Sequence, residues 1–193
     1  MKKLFAAVFA FLLGASSLFA GDVEDVKAVV LKDWQLASQG KFADLLTQRT
    51  ADYVEVNGER IFPYEHIRWT VLALDGKHPE EFILMMLVAQ SRGNLKLTPD
   101  MRAKISEAAR SPEFIESYKN GIGKMAAMLQ TDAAFQLETL KLIDIKVDGD
   151  AATVVCEFDS KASGSVVHKI ETVSLRKVDG AWKICKAVIE NKK

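Results

Sequence analysis

The chain has 193 residues, and its 26 basic and 26 acidic side chains give a formal net charge of zero. A neutral chain has no long-range field toward phosphates or anionic lipids, so nucleic-acid binding and membrane-surface binding are not expected. His66 and His78 lack the spacing of metal ligands, and we expect neither a metal nor a cofactor.

The first twenty residues have the pattern of a secretory signal peptide. Lys2 and Lys3 precede a short apolar run, Leu4–Leu13, and a small-residue exit, Gly14–Ala20. The run is shorter than the roughly 20 apolar residues that span a membrane. We expect cleavage after Ala20 and an exported chain, periplasmic or secreted, with no membrane attachment. An uncleaved anchor is the alternative.

Residues 21–193 are predicted to form one domain that begins with helices. Valines at helical spacing predict a helix over Asp22–Ser38, which ends at Gly40. The elements predicted next are a short helix over Phe42–Leu46, a hairpin over Asp52–Ile61 turning at Asn57-Gly58, and a helix over Tyr64–Leu74 that starts after Pro63.

The segment from about 77 to 131 is predicted to be entirely helical. Pro79, Pro99 and Pro112 each mark a helix start. Phe82–Val88 is apolar on every side, which is typical of a buried helix. We expect a kink at Gly121 and Gly123 in the last helix of this segment.

Phe135–Ile189 is predicted to be an antiparallel meander of four strands. Asp148-Gly149 and Asp179-Gly180 are hairpin turns, and a looser turn at Ser160–Ser165 joins the middle strands. Counting from the two tight turns places Ile143 opposite Val154 and Leu175 opposite Ile184.

The apolar residues of the first and third strands change face partway along. Leu140 and Leu142 alternate out of phase with Ile143, and His168 and Ile170 out of phase with Val173. Each change predicts a bulge, and bulges bend a sheet. We therefore expect an α+β fold in which a curved antiparallel sheet, wrapped by the N-terminal helices, encloses a concavity.

These features resemble the nuclear-transport-factor-2-like superfamily, which includes SnoaL-like polyketide cyclases and ketosteroid isomerases. The matching residues are Trp34–Phe42, Asp52–Gly58, Tyr64, Ile67, Arg68 and Asp179–Ile184. The resemblance covers about Val23–Leu74 and Phe135–Ile189, with the helical segment 77–131 as an insertion. It implies a cone-like α+β fold with an apolar pocket, but no single activity.

Aromatic side chains are the first candidates for a binding site. Trp34, Tyr53, Tyr64, Trp69 and Phe158, together with His168, are expected to line a pocket for an apolar ligand. Ordinary core packing is the alternative interpretation.

Two pairs are weaker candidates for catalysis. A five-residue turn at Ser160–Gly164 places His168 opposite Cys156, and such a pair can act as base and nucleophile. A buried thiol beside a core histidine is the alternative. Glu55 is expected to face Arg60 across its hairpin, either as a pocket base or as a surface ion pair. No catalytic carboxylate is carried over from the family.

The remaining predictions concern cysteines and association. Cys156 and Cys185 are expected on strands separated by another strand, about 10 Å apart, which is too far for a disulfide. Leu140, Leu142 and Val155 are expected on the sheet face away from the core, as the interface of a homodimer.

No catalytic set is evident in the sequence, so we expect an exported, non-catalytic domain that binds a small apolar or amphipathic ligand. The first alternative is an enzyme of the isomerase, cyclase or dehydratase kind that uses Tyr53, Glu55 or His168. The second is a module that binds another protein of the cell envelope.

Overall fold

A curved sheet of six strands and the helices packed against it form the structure, a computed structural model that describes residues 21–91, 95–161 and 164–192. The segment 1–20, interpreted above as a signal peptide, lies outside these residues. No helix among the described residues is long and apolar enough to cross a membrane.

The elements follow one another in the order that the sequence predicts. The helices are α1 over 21–38, a 3₁₀ helix over Ala43–Gln48, α2 over Tyr64–Leu74, α3 over Pro79–Gln90, α4 over Pro99–Ala108 and α5 over Pro112–Thr139. The strands are β1 over Arg49–Asn57, β2 over Arg60–Pro63, β3 over Lys141–Asp148, β4 over Ala151–Ser160, β5 over Val167–Val178 and β6 over Ala181–Asn191.

The sheet has the order β2-β1-β6-β5-β4-β3. Strands β3 to β6 form the predicted meander, each antiparallel to its neighbour in sequence. Strand β1 lies parallel to β6, with Glu55 opposite Ala187, and β2 forms the edge. Residues from the beginning of the domain are therefore placed beside the last strand of the meander.

The meander begins later than predicted. Phe135–Thr139 is not strand but the last part of α5, which extends over 28 residues. The hydroxyl of Thr139 donates to the carbonyl of Phe135 at 3.1 Å and accepts the backbone N–H of Asp159 at 3.0 Å. The helix end is thus fixed against β4, and β3 starts only at Lys141.

The tight turns explain which register predictions are correct. Asp179 and Gly180 have φ values of 52° and 79°, as a type I′ turn requires, and Leu175 does face Ile184. In the turn after β3, Gly149 takes the first turn position, because Asp148 pairs with Ala151. The predicted pairing of Ile143 with Val154 is therefore wrong, and Ile145 faces Val154 instead.

The hairpin of β1 and β2 shows the same displacement. Asn57 pairs with Arg60, so that Gly58 occupies the first turn position with a φ of 59°. The predicted pair of Glu55 with Arg60 is wrong, since Glu55 faces Phe62.

One of the two predicted bulges is present. The β3–β4 register shifts between Leu142 and Asp144, which confirms the bulge in the first strand of the meander. Strand β5 pairs with β4 without interruption, so the bulge predicted there is absent. The second irregularity lies between β5 and β6, where β6 has one extra residue at Cys185. Lys169 and Glu171 consequently share the concave face with Val173.

The interior consists of three apolar clusters among the described residues. The first lies between α1 and the concave face of the sheet, the second joins α1 and α2 to α5, and the third joins α2 to α3 and α4. Leu140 and Leu142 pack against the first cluster, so they do not form the predicted strip on the outer face. Homodimer formation stays a prediction.

Both cysteines are free, as expected. Cys156 is buried in β4 and Cys185 is half-buried in β6, with β5 between them.

Candidate functional site

A small cleft lies between α1 and the concave face of the sheet, with a cavity volume of about 40 Å³. Its lining combines ionisable and apolar side chains from α1, β1, β5 and β6. They are Val30, Asp33, Trp34, Arg49, Tyr53, Glu55, Glu171, Val173, Ile184 and Ala187.

The pairing of the strands brings two glutamates to this cleft. Glu55 on β1 faces Ala187 on β6, and Ala187 faces Val173 on β5, two residues from Glu171. The Cα atoms of the glutamates are therefore separated by two strand spacings, about 10 Å, and by an offset along the strands. Because Ala187 is small, the space between the glutamates stays open.

An ion pair links α1 to β1 at one wall of the cleft. The guanidinium of Arg49 lies 3.0 and 3.1 Å from the two carboxylate oxygens of Asp33 and donates to the carbonyl of Leu45 at 2.9 Å. Burial lowers the pKa of Arg49, but Asp33, Tyr53 and Glu55 together outweigh burial and raise it. Arg49 is therefore a permanent cation inside the cleft.

Tyr53 holds Glu55 in position. Its hydroxyl donates to Oε2 of Glu55 at 3.3 Å, and its ring lies 5.0 Å from the guanidinium carbon of Arg49. Burial and the charge of Glu55 raise the pKa of Tyr53, so the phenol keeps its proton. Burial also raises the pKa of Glu55, although Arg49 and the hydrogen bond from Tyr53 favour its charged form.

Glu171 has a different environment. The residue is half-buried, and its carboxyl group makes no hydrogen bond or ion pair within the described residues. Burial raises its pKa to about 8, and the charges of Asp33 and Glu55 act in the same direction. At neutral pH most molecules therefore carry a protonated Glu171. Beside it, burial raises the pKa of Glu55, but the charge of Arg49 and the hydrogen bond from Tyr53 favour its anion.

Three of the residues proposed from the sequence lie in this cleft: Trp34, Tyr53 and Glu55. Phe158 contacts Trp34 edge to face, with ring centroids 4.6 Å apart, and lines a neighbouring groove. The other two aromatic candidates lie elsewhere. Tyr64 packs against the first apolar cluster, and Trp69 belongs to the third and stacks on His66.

The proposed pair of Cys156 and His168 does not form. Cys156 faces Glu171 across the strands, whereas His168 pairs with Asp159 and lies exposed on the outer face. Burial raises the pKa of Cys156 to about 12, so the thiol is not a nucleophile at neutral pH. The turn between β4 and β5 is longer than the five residues assumed, which moves the register.

Three charged members of the cleft were not identified from the sequence: Asp33, Arg49 and Glu171. Glu171 and Lys169 alternate in phase with Val173 and Leu175, and that phase was the available signal. Asp33 lies one helical turn from Val29 and Val30, on the side of α1 that faces the sheet. No group of three or more His, Cys, Asp or Glu side chains among the described residues has metal-binding geometry.

The sequence matches no protein-family model and no curated protein. It is similar in structure to an NTF2-like protein with a cystatin-like fold from Novosphingobium aromaticivorans, at 13% identity and a TM-score of 0.48, over 92% of this chain and 86% of that one. An NTF2-like protein of unknown function from Shewanella baltica has 10% identity and a TM-score of 0.48, over 91% and 97%.

A ketosteroid isomerase-like protein from Erwinia carotovora atroseptica has 13% identity and a TM-score of 0.42, over 89% of this chain and 97% of that one. Similarity at this level does not indicate the activity of the chain. The curved sheet and the helices on its concave face confirm the α+β architecture that the sequence predicted.

Proposed function

We propose that the cleft binds a small ligand with a carbonyl group and an apolar body, and that Glu55 and Glu171 transfer a proton on it. The observation that carries this proposal is the contrast between the two glutamates. One cleft holds Glu55, whose anion Tyr53 and Arg49 favour against burial, and Glu171, which lacks such partners and whose pKa burial raises to about 8. Such a difference between neighbouring acids assigns the roles of base and acid.

The proton transfer uses groups of this chain alone. Glu55 takes a proton from the carbon next to the carbonyl, while Glu171 donates its proton to the carbonyl oxygen. The product is an enol, with Glu55 protonated and Glu171 ionised. If a carbon–carbon double bond of the ligand is conjugated with this enol, Glu55 can return its proton to the far carbon of that double bond, while the enol proton returns to Glu171. The ligand is then isomerised, and both glutamates are restored.

The other walls of the cleft suit an apolar ligand body. Trp34, Val173 and Ile184 present carbon surface beside the carboxyl groups. A dry, apolar environment strengthens the interaction of a fixed acid with a developing oxyanion.

The size of the cleft favours a second candidate function, binding without turnover. A volume of about 40 Å³ is room for one or two water molecules, so the side chain of Trp34 must move before a larger ligand enters. In this second function the polar groups would orient the ligand and leave it unchanged.

Exchange of hydrogen for deuterium in small ketones tests the proposal. We expect the protein in D₂O to accelerate loss of the α-proton signals of cyclopentanone, measured by proton NMR. Glu55→Gln should slow the catalysed exchange by about 10²-fold or more, since general-base catalysis is typically worth 10²–10⁴. Ala187→Leu should block exchange by filling the cavity.

Glu190→Gln is the matched control, because Glu190 is an exposed glutamate on β6 outside the cleft. If the wild type and Glu55→Gln exchange the ketone at the same rate, proton transfer at this site is refuted. Saturable binding of the ketone without exchange would then support the second function.

Export is the second part of the proposal, and the segment Lys2–Ala20 supports it. We expect protein isolated from its own host outside the cytoplasm to begin at Gly21. N-terminal mass spectrometry of cell fractions measures this directly. A chain found only in the cytoplasm with Met1–Ala20 attached would contradict export.

A further inference from the structure

A wide groove lies beside the cleft, where the ends of β4 and β5 meet the junction of α5 with β3. Its volume is about 490 Å³, and Phe158 is the large aromatic side chain in its lining. Because Phe158 contacts Trp34, and Trp34 lines the cleft, one pair of rings separates the groove from the glutamates. The groove is therefore placed to hold the part of a ligand that extends out of the cleft.

Most of the charges in this groove are already paired. Nζ of Lys192 lies 2.7 Å from Oε1 of Glu157, and Nδ1 of His168 contacts Oδ1 of Asp159. Among the described residues, three charged side chains of the lining form no ion pair: the exposed Glu138 and Lys141, and the half-buried Lys169. Lys169 is half-buried and has no ion-pair partner in direct contact, so an anionic group of a ligand would offset the cost of its partial burial.

The backbone places Lys169 between the groove and the cleft. It faces Phe158 on β4 and precedes Glu171 by two residues on β5, so all three share the concave face. Its positive charge reaches both glutamates of the cleft, since it lowers the pKa of Glu55 and of Glu171. Arg49 and Tyr53 lower the pKa of Glu55 more than Lys169 does, and most Glu171 is protonated at neutral pH.

We propose that the ligand is an organic carboxylate, with its anionic group paired to Lys169 and its apolar body lying on Phe158 and Trp34. This inference rests on the proposed function of the cleft, because it names the class of ligand that the cleft receives. Among the described lining residues, Lys169 is the unpaired lysine that is half-buried, since Lys141 is exposed, and one such ammonium suits one negative charge. A cationic ligand of the same shape would be repelled.

Three eight-carbon probes test the inference: octanoate, 1-octanol and octyltrimethylammonium, each titrated by isothermal calorimetry at low ionic strength. We expect octanoate to bind about tenfold more tightly than 1-octanol, as a charge-assisted hydrogen bond at a partly exposed site contributes. Octyltrimethylammonium should bind most weakly. Added salt should weaken only the binding of octanoate.

Lys169→Gln should reduce the affinity for octanoate to that for 1-octanol and leave 1-octanol unchanged. The matched control is Lys186→Gln, an exposed lysine on β6, which should keep the preference for the anion. Thermal melts followed by circular dichroism verify that both variants are folded. Equal binding of octanoate and 1-octanol by the wild type, or an unchanged preference in Lys169→Gln, overturns the inference.

The ketone assay separates this inference from the proposed function, because a neutral ketone does not need Lys169. Exchange by the wild type with no preference for octanoate would overturn the carboxylate ligand alone. A preference for octanoate that depends on Lys169, with no exchange, would support the carboxylate ligand and refute proton transfer. Absence of binding by all three probes overturns the inference as well.

Discussion

Asp132 and Glu171 are both acidic residues turned toward the interior, but their surroundings differ. Asp132 lies where α5 meets the end of β4 and accepts hydrogen bonds from the side chains of Gln136 and Ser160 and from the backbone of Lys161. Glu171 lies in the cleft and accepts none within the described residues. The donors around Asp132 compensate its loss of hydration, whereas Glu171 responds to the same loss with a raised pKa.

The donors around a buried carboxylate distinguish a structural role from a chemical one in this protein. A carboxylate surrounded by donors fixes two elements to each other, and its removal should cost stability. A carboxyl group without donors contributes little to the fold and retains a proton that a ligand can take. The following substitutions test this distinction.

Asp132→Ala should have the largest effect. The change removes three hydrogen bonds, and the backbone N–H of Lys161 loses its acceptor, at a cost of about 3–4 kcal/mol in the free energy of unfolding. Urea denaturation followed by circular dichroism measures it. A loss below about 1 kcal/mol would show that Asp132 is not structural.

Glu171→Gln should stabilise the protein, and the gain should depend on pH. The folded state holds the proton of Glu171 up to about pH 8, whereas an exposed glutamate loses it near pH 4.5. Stability from this group is complete below pH 4.5 and is lost as the pH rises to 8. The variant lacks this loss, so its free energy of unfolding should exceed that of the wild type by about 2–3 kcal/mol at pH 9 and by almost nothing at pH 4.5. The value at pH 9 is discounted because Glu171 is half-buried.

Urea denaturation of both proteins at pH 4.5, 7 and 9 measures the difference. Glu157→Gln is a suitable control, since Glu157 is paired with Lys192 at the surface. An equal effect of Glu171→Gln at all three pH values would contradict a raised pKa.

His168→Gln should have the smallest effect. The partner of His168 is Asp159, but 69% of the histidine side chain is exposed, and water screens such pairs. We expect a change below about 1 kcal/mol in the free energy of unfolding at pH 6. A larger loss would mean that the exposed pair fixes β4 to β5 as firmly as Asp132 fixes β4 to α5.

The helices and turns were predictable because their signals are local. Thr98 accepts the N–H of Met101 at 3.2 Å, Ser111 accepts that of Phe114 at 3.4 Å, and α2 begins after Pro63 as expected. These capping patterns need only neighbouring residues. The same holds for the turn at Asp179-Gly180, whose register was correct.

The cleft was not predictable in the same way. The assumption that apolar residues face inward placed Ile170 and His168 inside and required a bulge in β5, whereas the structure turns Lys169 and Glu171 inward instead. Binding sites often depart from apolar patterning, which agrees with the role proposed for the cleft. The pairing of β1 with β6 adds contacts between distant residues that no local pattern indicates.

The position of β1 between β2 and β6 has a consequence for biosynthesis. The amine of Lys183 on β6 donates to the carbonyl of Thr47, just before β1, across 136 residues of sequence. While a ribosome is still producing the chain, the hairpin of β1 and β2 has no neighbour on one side, and the unpaired backbone of Val54 and Val56 can join other chains. Nascent molecules therefore need protection from aggregation until β6 has emerged and closes that edge.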